Sequence, residues 1–377
     1  MSAHVRHPVE EPMTVIDAVR SDLDSVRADV DSVIDDFLAE QARLAPDPCL
    51  PPMVEVLTGF IAGGKRLRPL FCHSGFLAAG GAPGDPALLR TAASLELFHT
   101  FALVHDDVMD RSALRRGRPT VHRLLAERFG TERFGTDRSR AARGARRFGV
   151  SAAILLGDLC HSWSDELLRR AEAAAGPQPV VRELLHTMRT ELIAGQYLDL
   201  VGTGRPSVDP VRAAWRVARL KTARYTVELP LRIGAALAGG DAALARACGA
   251  YGRPVGEAFQ LRDDLLGMFG DPLVTGKPAL DDLRDGKPTV LLALAWQQAT
   301  PGQRDVIEAL HGDPELDHER AELLRDVVRS TGAVERAEQL ISVRVDRALS
   351  ALRTAAMDQA AKPLLAELVA RATRRRR

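Results

Sequence analysis

Two aspartate-rich stretches are the segments of this chain best suited to chemistry. The first contains Asp106, Asp107 and Asp110, and the second reads Asp263-Asp264-Leu265-Leu266-Gly267. On a helix Asp106 and Asp110 are one turn apart and point the same way. Acidic side chains in apolar helices are rarely buried unless they are paired or bind metal. Carboxylate oxygens suit Mg²⁺, which also bridges to substrate phosphates. The two clusters therefore predict one site where opposing helices hold divalent cations and an anionic substrate.

A solvated acidic face or a cluster of helix caps is the alternative interpretation of these aspartates. It fits poorly, because Phe98, Phe101 and Val104 precede the first cluster and Leu265 and Leu266 follow the start of the second. Apolar residues at those positions favour burial of both helices. We therefore expect the clusters to face an interior site.

Short basic segments accompany the two acidic clusters. Gly63 to Pro69 (GGKRLRP) places flexible backbone beside three cations at a predicted helix start, where anions are attracted. Arg115 and Arg116 follow the first cluster, and adjacent arginines can serve two phosphate groups. Lys277 and Lys287 each follow a glycine after the second cluster. Any one of these segments would also suit a surface turn, but together they predict a diphosphate site.

Composition limits the class of protein. The 377 residues are 46% hydrophobic and 5% aromatic, and the net charge of +1 gives no indication of a nucleic-acid partner. The four cysteines are isolated, which fits a reducing compartment and argues against a disulfide or zinc framework. The N-terminus has no apolar signal core, and no run of 18 uncharged apolar residues predicts a membrane span. We therefore expect a cytoplasmic protein.

Hydrophobic spacing predicts helices along nearly the whole chain and no convincing strand. Ile16 to Phe37 forms one long amphipathic pattern, and Pro86 to Met109 forms the helix that carries the first cluster. Further helices are predicted over 54–61, 66–79, 150–175, 180–200, 211–238, 242–266, 289–298, 321–329, 334–354 and 363–373. We expect a single all-α domain over residues 1–377, with a central cavity between helices. Residues 1–12 are expected to be disordered, 127–147 to form a mobile, Arg-rich loop, and 374–377 to be a basic tail.

The order of these motifs resembles that of the trans-isoprenyl diphosphate synthases, also called polyprenyl synthetases. The motifs are GGKRLRP, DDxxD, RRG, GQxxD, KT, FQxxDD and then GK in a loop, and they cover roughly residues 50 to 300. The resemblance implies a homodimeric enzyme with three Mg²⁺ ions per site, for which Mn²⁺ can substitute. It implies head-to-tail (1′-4) condensation of isopentenyl diphosphate with dimethylallyl, geranyl or farnesyl diphosphate.

The resemblance also implies roles for individual residues. The metal ligands of the first motif would be Asp106 and Asp110, with Asp107 beside them. In the second motif Asp263 would be the principal ligand, with Asp264 supporting it, and Asp199 would support the metal-binding wall. The allylic diphosphate would be held by Arg115, Lys221, Lys277 and Lys287, and isopentenyl diphosphate by Gly64, Lys65, Arg68, His99 and Arg116. The developing allylic cation would face Thr222 and Gln260. Gly267 stands where a third aspartate of the second motif is common, so we expect weaker support for one metal.

Product length would depend on side chains that precede Asp106 on its helix. Phe101 and Ala102 stand five and four residues before Asp106, and one aromatic beside a small residue resembles the short-chain geranylgeranyl diphosphate synthases. We therefore expect a C20 product, with farnesyl diphosphate (C15) as the second choice, a longer chain as a further alternative, and Phe98 as an alternative floor. A class I terpene cyclase would not need the basic segment at Lys65 and Arg68. A non-catalytic regulatory subunit would be expected to lack the aspartates.

Overall fold

The structure is a computed structural model that describes residues 15–48, 50–130, 138–203, 208–271 and 280–374. Almost all of these residues are helical, which confirms the predicted all-α fold. The α-helices are α1 Val15–Arg43, α2 Leu50–Ile61, α3 Leu67–Ala78, α4 Pro86–Met109, α5 Val121–Gly130, α6 Arg138–Ala175, α7 Pro179–Gly202, α8 Pro210–Val217, α9 Leu229–Leu237, α10 Ala242–Phe269, α11 Asp281–Arg284, α12 Val290–Gln298, α13 Pro301–Leu310, α14 His318–Ser330, α15 Ala333–Thr354 and α16 Ala361–Thr373. A π-helical segment, Ala218–Glu228, joins α8 to α9. Within the described ranges, the strands are the two-residue pair β1 Leu114–Arg115 and β2 Arg118–Pro119.

Helix α4 is the central helix of the bundle and has the bounds that the sequence predicts. Its N-terminus is fixed by Asp85, whose side chain accepts from the backbone N–H groups of Ala87 and Leu88, and by Pro86 in the first turn. The helix is long and apolar enough to cross a membrane, but 67% of its most apolar window is buried by the rest of the protein. Burial on nearly all sides identifies α4 as a core helix, and it ends at the first aspartate cluster.

The predicted helix over 211–238 is in fact three successive helical segments. Lys221 and Thr222 lie in the π-helical segment, which packs against α7 and α10. An added Cβ at Gly195 of α7 would lie 2.4 Å from the backbone nitrogen of Lys221. This close approach requires a glycine, and it fixes the position of Lys221 relative to α7. π-Helical turns are frequent at functional sites.

The predicted mobile loop over 127–147 is wrong at both ends. Helix α5 continues to Gly130 and α6 already begins at Arg138, whereas residues 131–137 lie outside the described residues. Just beyond the predicted loop, Gly149 serves helix packing. An added Cβ at Gly149 would lie 2.2 Å from the carbonyl oxygen of His122, so α5 and α6 approach closely there. The predicted disorder of 1–12 also lies outside the described residues, as does most of the basic tail.

The remaining predicted helices are present, with ends displaced by a few residues in most cases. The sequence reasoning missed α5, α11 and α13, and α2 begins four residues before its predicted start, with Pro51 and Pro52 in its first turn. Helix α13 has a capping box, in which Thr300 and Gln303 exchange side-chain and backbone hydrogen bonds. That signal is local and was available in the sequence.

Candidate active site

Asp106 lies on the face of α4 that meets α7 and the π-helical segment. Its Oδ1 accepts hydrogen bonds from Gln196 Nε2 at 3.0 Å and from Lys221 Nζ at 3.1 Å. Lys221 also donates to Oδ2 of the buried Asp199 at 2.6 Å. Burial raises the pKa of Asp106, but Lys221 and other nearby cations outweigh burial and hold it well below its usual range. The Asp106 carboxylate is therefore ionised inside the bundle.

The segment between α11 and α12 connects the two aspartate motifs. Lys287 Nζ donates to Oδ2 of Asp110 on α4. Three residues later, the backbone N–H groups of Val290 and Leu291 donate to Oδ2 of Asp264 on α10, at 2.9 and 3.4 Å. Three residues of chain span at most about 11 Å. The structure therefore brings both motifs, distant in sequence, to the same region of the bundle.

Asp264 acts as a cap for α12. Its Oδ2 accepts the two backbone N–H groups at the start of that helix, and its Oδ1 accepts from Gln260 Nε2 at 2.7 Å. The side chain is buried, and burial raises the pKa of Asp264 to about 7, against the effect of these hydrogen bonds. Both oxygens already have protein donors. Asp263, half-buried on the same helix, is thus the better candidate for a metal ligand.

Asp107 forms an ion pair with Arg115 on β1. Arg115 Nε lies 2.8 Å from both oxygens of Asp107, and a terminal nitrogen lies 2.6 Å from Oδ1. The same guanidinium reaches Asp106 Oδ2 at 3.4 Å. Asp107 is 1% exposed. Its position makes it a partner that holds Arg115 beside Asp106, and its predicted role as a metal ligand stays a prediction.

A second group of cations lies around Gly64, before α3. Arg66 has a left-handed backbone with φ of 50°, and its guanidinium donates to Asp31 at 2.5 Å and to the buried Glu96 at 2.8 Å. An added Cβ at Gly64 would lie 2.5 Å from a terminal nitrogen of Arg66, 3.3 Å from Glu96 Oε1 and 3.4 Å from a terminal nitrogen of Arg116. Gly64 thus leaves room beside these groups. Backbone strain of this kind is concentrated at functional sites.

Arg68, His99 and Tyr225 form the buried wall of this second group. Arg68 donates to Thr226 Oγ1 at 2.8 Å and stacks on the Tyr225 ring at 4.2 Å, and Arg68 Nε is buried with no hydrogen-bond partner in the described structure. His99 Nδ1 lies 2.7 Å from the Tyr225 hydroxyl. Burial, followed by the charges of Arg68 and Arg116, holds the pKa of His99 well below its usual range. A neutral histidine among arginines and an unpaired Arg68 Nε fit an anionic ligand.

The predicted chain-length residues lie on two faces of α4 below Asp106. Ala102 and Phe98 are one and two turns before Asp106 on its own face, and Phe98 is 1% exposed. Phe101 turns toward α6, where its ring contacts His161 with centroids 5.2 Å apart. The Phe98 and Phe101 rings are 5.4 Å apart. Ala102 is therefore the small side chain one turn below Asp106, and the two phenylalanines pack against each other beside and below it.

Several predicted site residues have fewer described contacts. Lys277 lies outside the described residues, and Lys65 is exposed. Thr222 is half-buried on the π-helical segment beside Lys221. Arg116, which is exposed overall, has a left-handed backbone with φ of 52°.

Sequence reasoning gave no role to Arg66, Glu96 or Tyr225. Glu96 is three residues before His99 on α4, and Tyr225 is four residues after Lys221, so each lies near the face of its helix that bears a predicted site residue. Helical spacing from the motif residues was the signal that could have found both. The role of Arg66 depends on its left-handed backbone, which the sequence does not reveal.

The acidic residues fit a divalent cation that is shared with substrate phosphates. Among the described residues, no three His, Cys, Asp or Glu side chains form a metal cluster by themselves. Asp106 and Asp110 are nevertheless partly buried on one face, and burial together with the charge of Asp106 raises the pKa of Asp110. A carboxylate pair of this kind is stabilised by added positive charge. Mg²⁺ typically binds one or two carboxylates and substrate phosphates in this way.

The all-α bundle and its paired acidic and basic groups define an enzyme of the isoprenoid synthase class. The sequence profile of the polyprenyl synthetase family matches residues 51–328, and the chain belongs to this family of prenyltransferases. The chain is 32% identical over 336 residues to the geranylfarnesyl diphosphate synthase of Aeropyrum pernix, covering 88% of this chain and 96% of that protein. It is 37% identical over 240 residues to a (2E,6E)-farnesyl diphosphate synthase of Mycobacterium tuberculosis, covering 63% of this chain and 58% of that one.

Solved structures show the same relationship. The geranylgeranyl pyrophosphate synthase of Corynebacterium glutamicum, in complex with isoprenyl diphosphate and magnesium, superposes with a TM-score of 0.86 and 38% sequence identity. That match covers 94% of this chain and 99% of the other. The names of these relatives specify products of different lengths. Membership in the family therefore leaves the chain length of this enzyme's product open.

Proposed function

We propose that this enzyme condenses isopentenyl diphosphate with an allylic diphosphate, head to tail, in a Mg²⁺-dependent reaction. The observation that carries the proposal is the presence of two separate cationic groups on either side of the α4 carboxylates. Lys221 and Lys287 contact Asp106 and Asp110 directly. Arg68 and His99 form the other group with Arg116. Two diphosphates therefore each have a binding group, whereas a terpene cyclase would need only one.

The residues of the chain suit a reaction in which the allylic C–O bond ionises. Lys221, Lys287 and Arg115 would neutralise the charge that grows on the departing diphosphate. Asp106, Asp110 and Asp263 would hold Mg²⁺, which when bound supplies further stabilisation of that charge. The carbonyl dipole of the Gln260 side chain and the hydroxyl of Thr222 would face the allylic cation. Buried apolar side chains below Asp106 exclude the water that would capture such a cation.

The isopentenyl diphosphate group would bind at the second cationic group. Arg68 has an unpaired buried Nε, and Gly64 leaves space beside Arg116. Burial keeps His99 neutral, so it can donate a hydrogen bond without adding charge. The final proton would leave to the diphosphate product, so no histidine base is required in this mechanism.

We propose geranylgeranyl diphosphate, C20, as the main product. In this proposal Ala102 leaves room for the tail directly below Asp106. Phe101 and Phe98 end that room, because they lie about 7.5 and 12 Å from Asp106 along the helix axis. The similarity to the Corynebacterium glutamicum enzyme supports this length. Farnesyl diphosphate is the second candidate. Longer chains should also be tested, because the Aeropyrum pernix relative is named for a product one isoprene unit longer than geranylgeranyl diphosphate.

A homodimer is the assembly that the surface supports. Ile193, Tyr197, Leu200 and Val201 are 39 to 65% exposed and lie on one face of α7. Leu155 on α6 is 60% exposed. Exposed apolar faces of this kind are typical of protein–protein contacts. Light scattering of the purified protein measures its molar mass and so tests for the dimer directly. The cytoplasmic location is a separate expectation from the sequence.

One assay tests the reaction. Purified protein is incubated with Mg²⁺, isopentenyl diphosphate and each allylic primer, and products are identified by mass. Asp106→Ala should lower the rate by several orders of magnitude, because the ionising step loses charge stabilisation. Asp326→Ala on α14, whose side chain is 70% exposed, is the matched control and should leave the rate unchanged. Near-normal turnover by Asp106→Ala, or full activity in EDTA, contradicts the proposal.

A further inference from the structure

A cavity of about 310 Å³ lies near the N-terminal end of α4, far from the aspartates. Its lining includes Thr91, Leu168, Leu185 and Leu237, together with the guanidinium-bearing Arg189 of α7. Thr91 precedes Asp106 by 15 residues, which is about 22 Å along the helix axis. The cavity therefore lies in the direction in which a growing hydrocarbon tail would extend, but beyond the two phenylalanines.

Arg189 stands between this cavity and Phe98. A terminal nitrogen of Arg189 is 2.6 Å from Asp165 Oδ1, and another is 3.4 Å from Ser164 Oγ, so α6 holds the guanidinium in place. The guanidinium carbon lies 5.4 Å from the centre of the Phe98 ring. Phe98 does not line the cavity, whereas Arg189 and Asp165 both do. The path from Asp106 thus meets Phe98 first, then Arg189, and then the open space.

We propose that Arg189, fixed by Asp165, is a specificity-determining residue that forms a second barrier behind the two phenylalanines and closes the tail pocket toward this cavity. The inference rests on the proposed prenyl transfer. A hydrocarbon end that reached Arg189 would have to displace a guanidinium from its aromatic and carboxylate partners. Its Nε is already buried without a hydrogen-bond partner in the described structure. An apolar tail would not satisfy this donor and would exclude water from it.

The proposal assigns different tasks to the two barriers. Phe101 and Phe98 stop the tail in the native enzyme, so removal of Arg189 alone leaves the first barrier in place. When Phe101 is truncated, the tail can pass Phe98 on the side that the Phe101 ring occupied, and it can then advance only as far as Arg189. Loss of both should connect the pocket to the cavity and release the limit.

Product lengths of four variants test this order. Phe101→Ala should make longer products than wild type, and Phe101→Ala/Arg189→Ala should make products at least one isoprene unit longer than Phe101→Ala. Phe101→Ala/Arg169→Ala is the matched control. Arg169 lines the same cavity but pairs with Glu166 and is 67% exposed, so its loss should leave the length of the Phe101→Ala products unchanged. Asp165→Ala in the Phe101→Ala background frees Arg189 without truncating it and should lengthen products to a smaller extent.

Mass spectrometry of the prenyl chains gives each result independently of the rate. Equal lengths with and without Arg189, in both the native and the Phe101→Ala backgrounds, overturn the inference while leaving the prenyl transfer intact. The inference is also overturned if, in the Phe101→Ala background, Arg169→Ala lengthens the products as much as Arg189→Ala does. If Phe101→Ala/Arg189→Ala does not fold, Phe101→Ala/Asp165→Ala replaces it, and its product lengths are compared with those of Phe101→Ala. A wild type that makes no prenyl diphosphate refutes the proposed function, and this inference with it.

Discussion

Replacement of Asp264 by alanine should destabilise the protein, whereas replacement of its neighbour Asp263 should remove activity. Asp264 is 6% exposed and accepts from Gln260 and from the backbone of Val290 and Leu291. Asp263 is half-buried on the same helix, where we propose that it binds metal. The two residues are adjacent in the same motif, and the family resemblance makes both of them metal ligands, with Asp263 as the principal one.

The expected loss of stability follows from the hydrogen bonds of Asp264. Alanine leaves two buried N–H groups at the start of α12 without their acceptor, and loss of a helix cap typically costs about 0.5–2 kcal/mol. Each unsatisfied buried donor costs about 1–3 kcal/mol. Because water can enter partly, we expect a total of about 2–4 kcal/mol. That corresponds to a fall in thermal midpoint of roughly 3–5 °C for a chain of 377 residues.

Thermal unfolding and turnover, measured on the same preparations, separate the two roles. Asp264→Ala should show the lowered midpoint, and its remaining folded fraction should keep a Mg²⁺ requirement like that of wild type. Asp263→Ala should change the free energy of unfolding by no more than about 1 kcal/mol. Its turnover rate should fall by several orders of magnitude. If Asp264→Ala unfolds at the wild-type temperature but needs far more Mg²⁺, then Asp264 is a metal ligand and the reasoning from its hydrogen bonds is wrong.

Two further predictions test other parts of the site. Lys65→Ala should raise KM chiefly for isopentenyl diphosphate in steady-state assays, because Lys65 adjoins the group formed by Gly64, Arg68 and Arg116. A rise in KM for the allylic substrate alone would invert that assignment. Gly195→Ala should lower kcat, because its Cβ would lie 2.4 Å from the backbone nitrogen of Lys221 and would displace the π-helical segment, at a cost of about 1–3 kcal/mol in stability. Gly59→Ala, whose Cβ meets nothing within 4 Å, is the control, and equal activity of the two variants would show that the close approach is unimportant.

Local sequence signals predicted most of the fold. Asp85 and Pro86 mark the start of α4, and the apolar run to Met109 marks its length, so its bounds needed no tertiary information. The same kind of signal failed over 127–147. The Arg-rich composition suggested a loop there, but α5 continues to Gly130, α6 begins at Arg138, and Gly149 just beyond that range serves contact with His122 on a neighbouring helix. A glycine that allows close packing and a glycine that ends a helix look alike in sequence.

The sequence also identified the residues of the candidate site, because acidic and basic side chains at helical spacing have few other uses in an apolar helix. It made Asp107 and Asp264 supporting metal ligands, beside Asp106 and Asp263. The structure separates them by contact, since Asp107 holds Arg115 and Asp264 caps α12.

What the sequence by itself determined is therefore the set of helices and the identity of the charged residues they carry. Helix propensity, caps and hydrophobic period depend on neighbours a few residues away. Only the tertiary structure decided which carboxylate is paired and which faces the site. Asp264 meets Val290 across 26 residues and Arg189 meets Ser164 across 25. Such contacts depend on how helices pack against each other, and no local pattern in the amino-acid sequence reveals that packing.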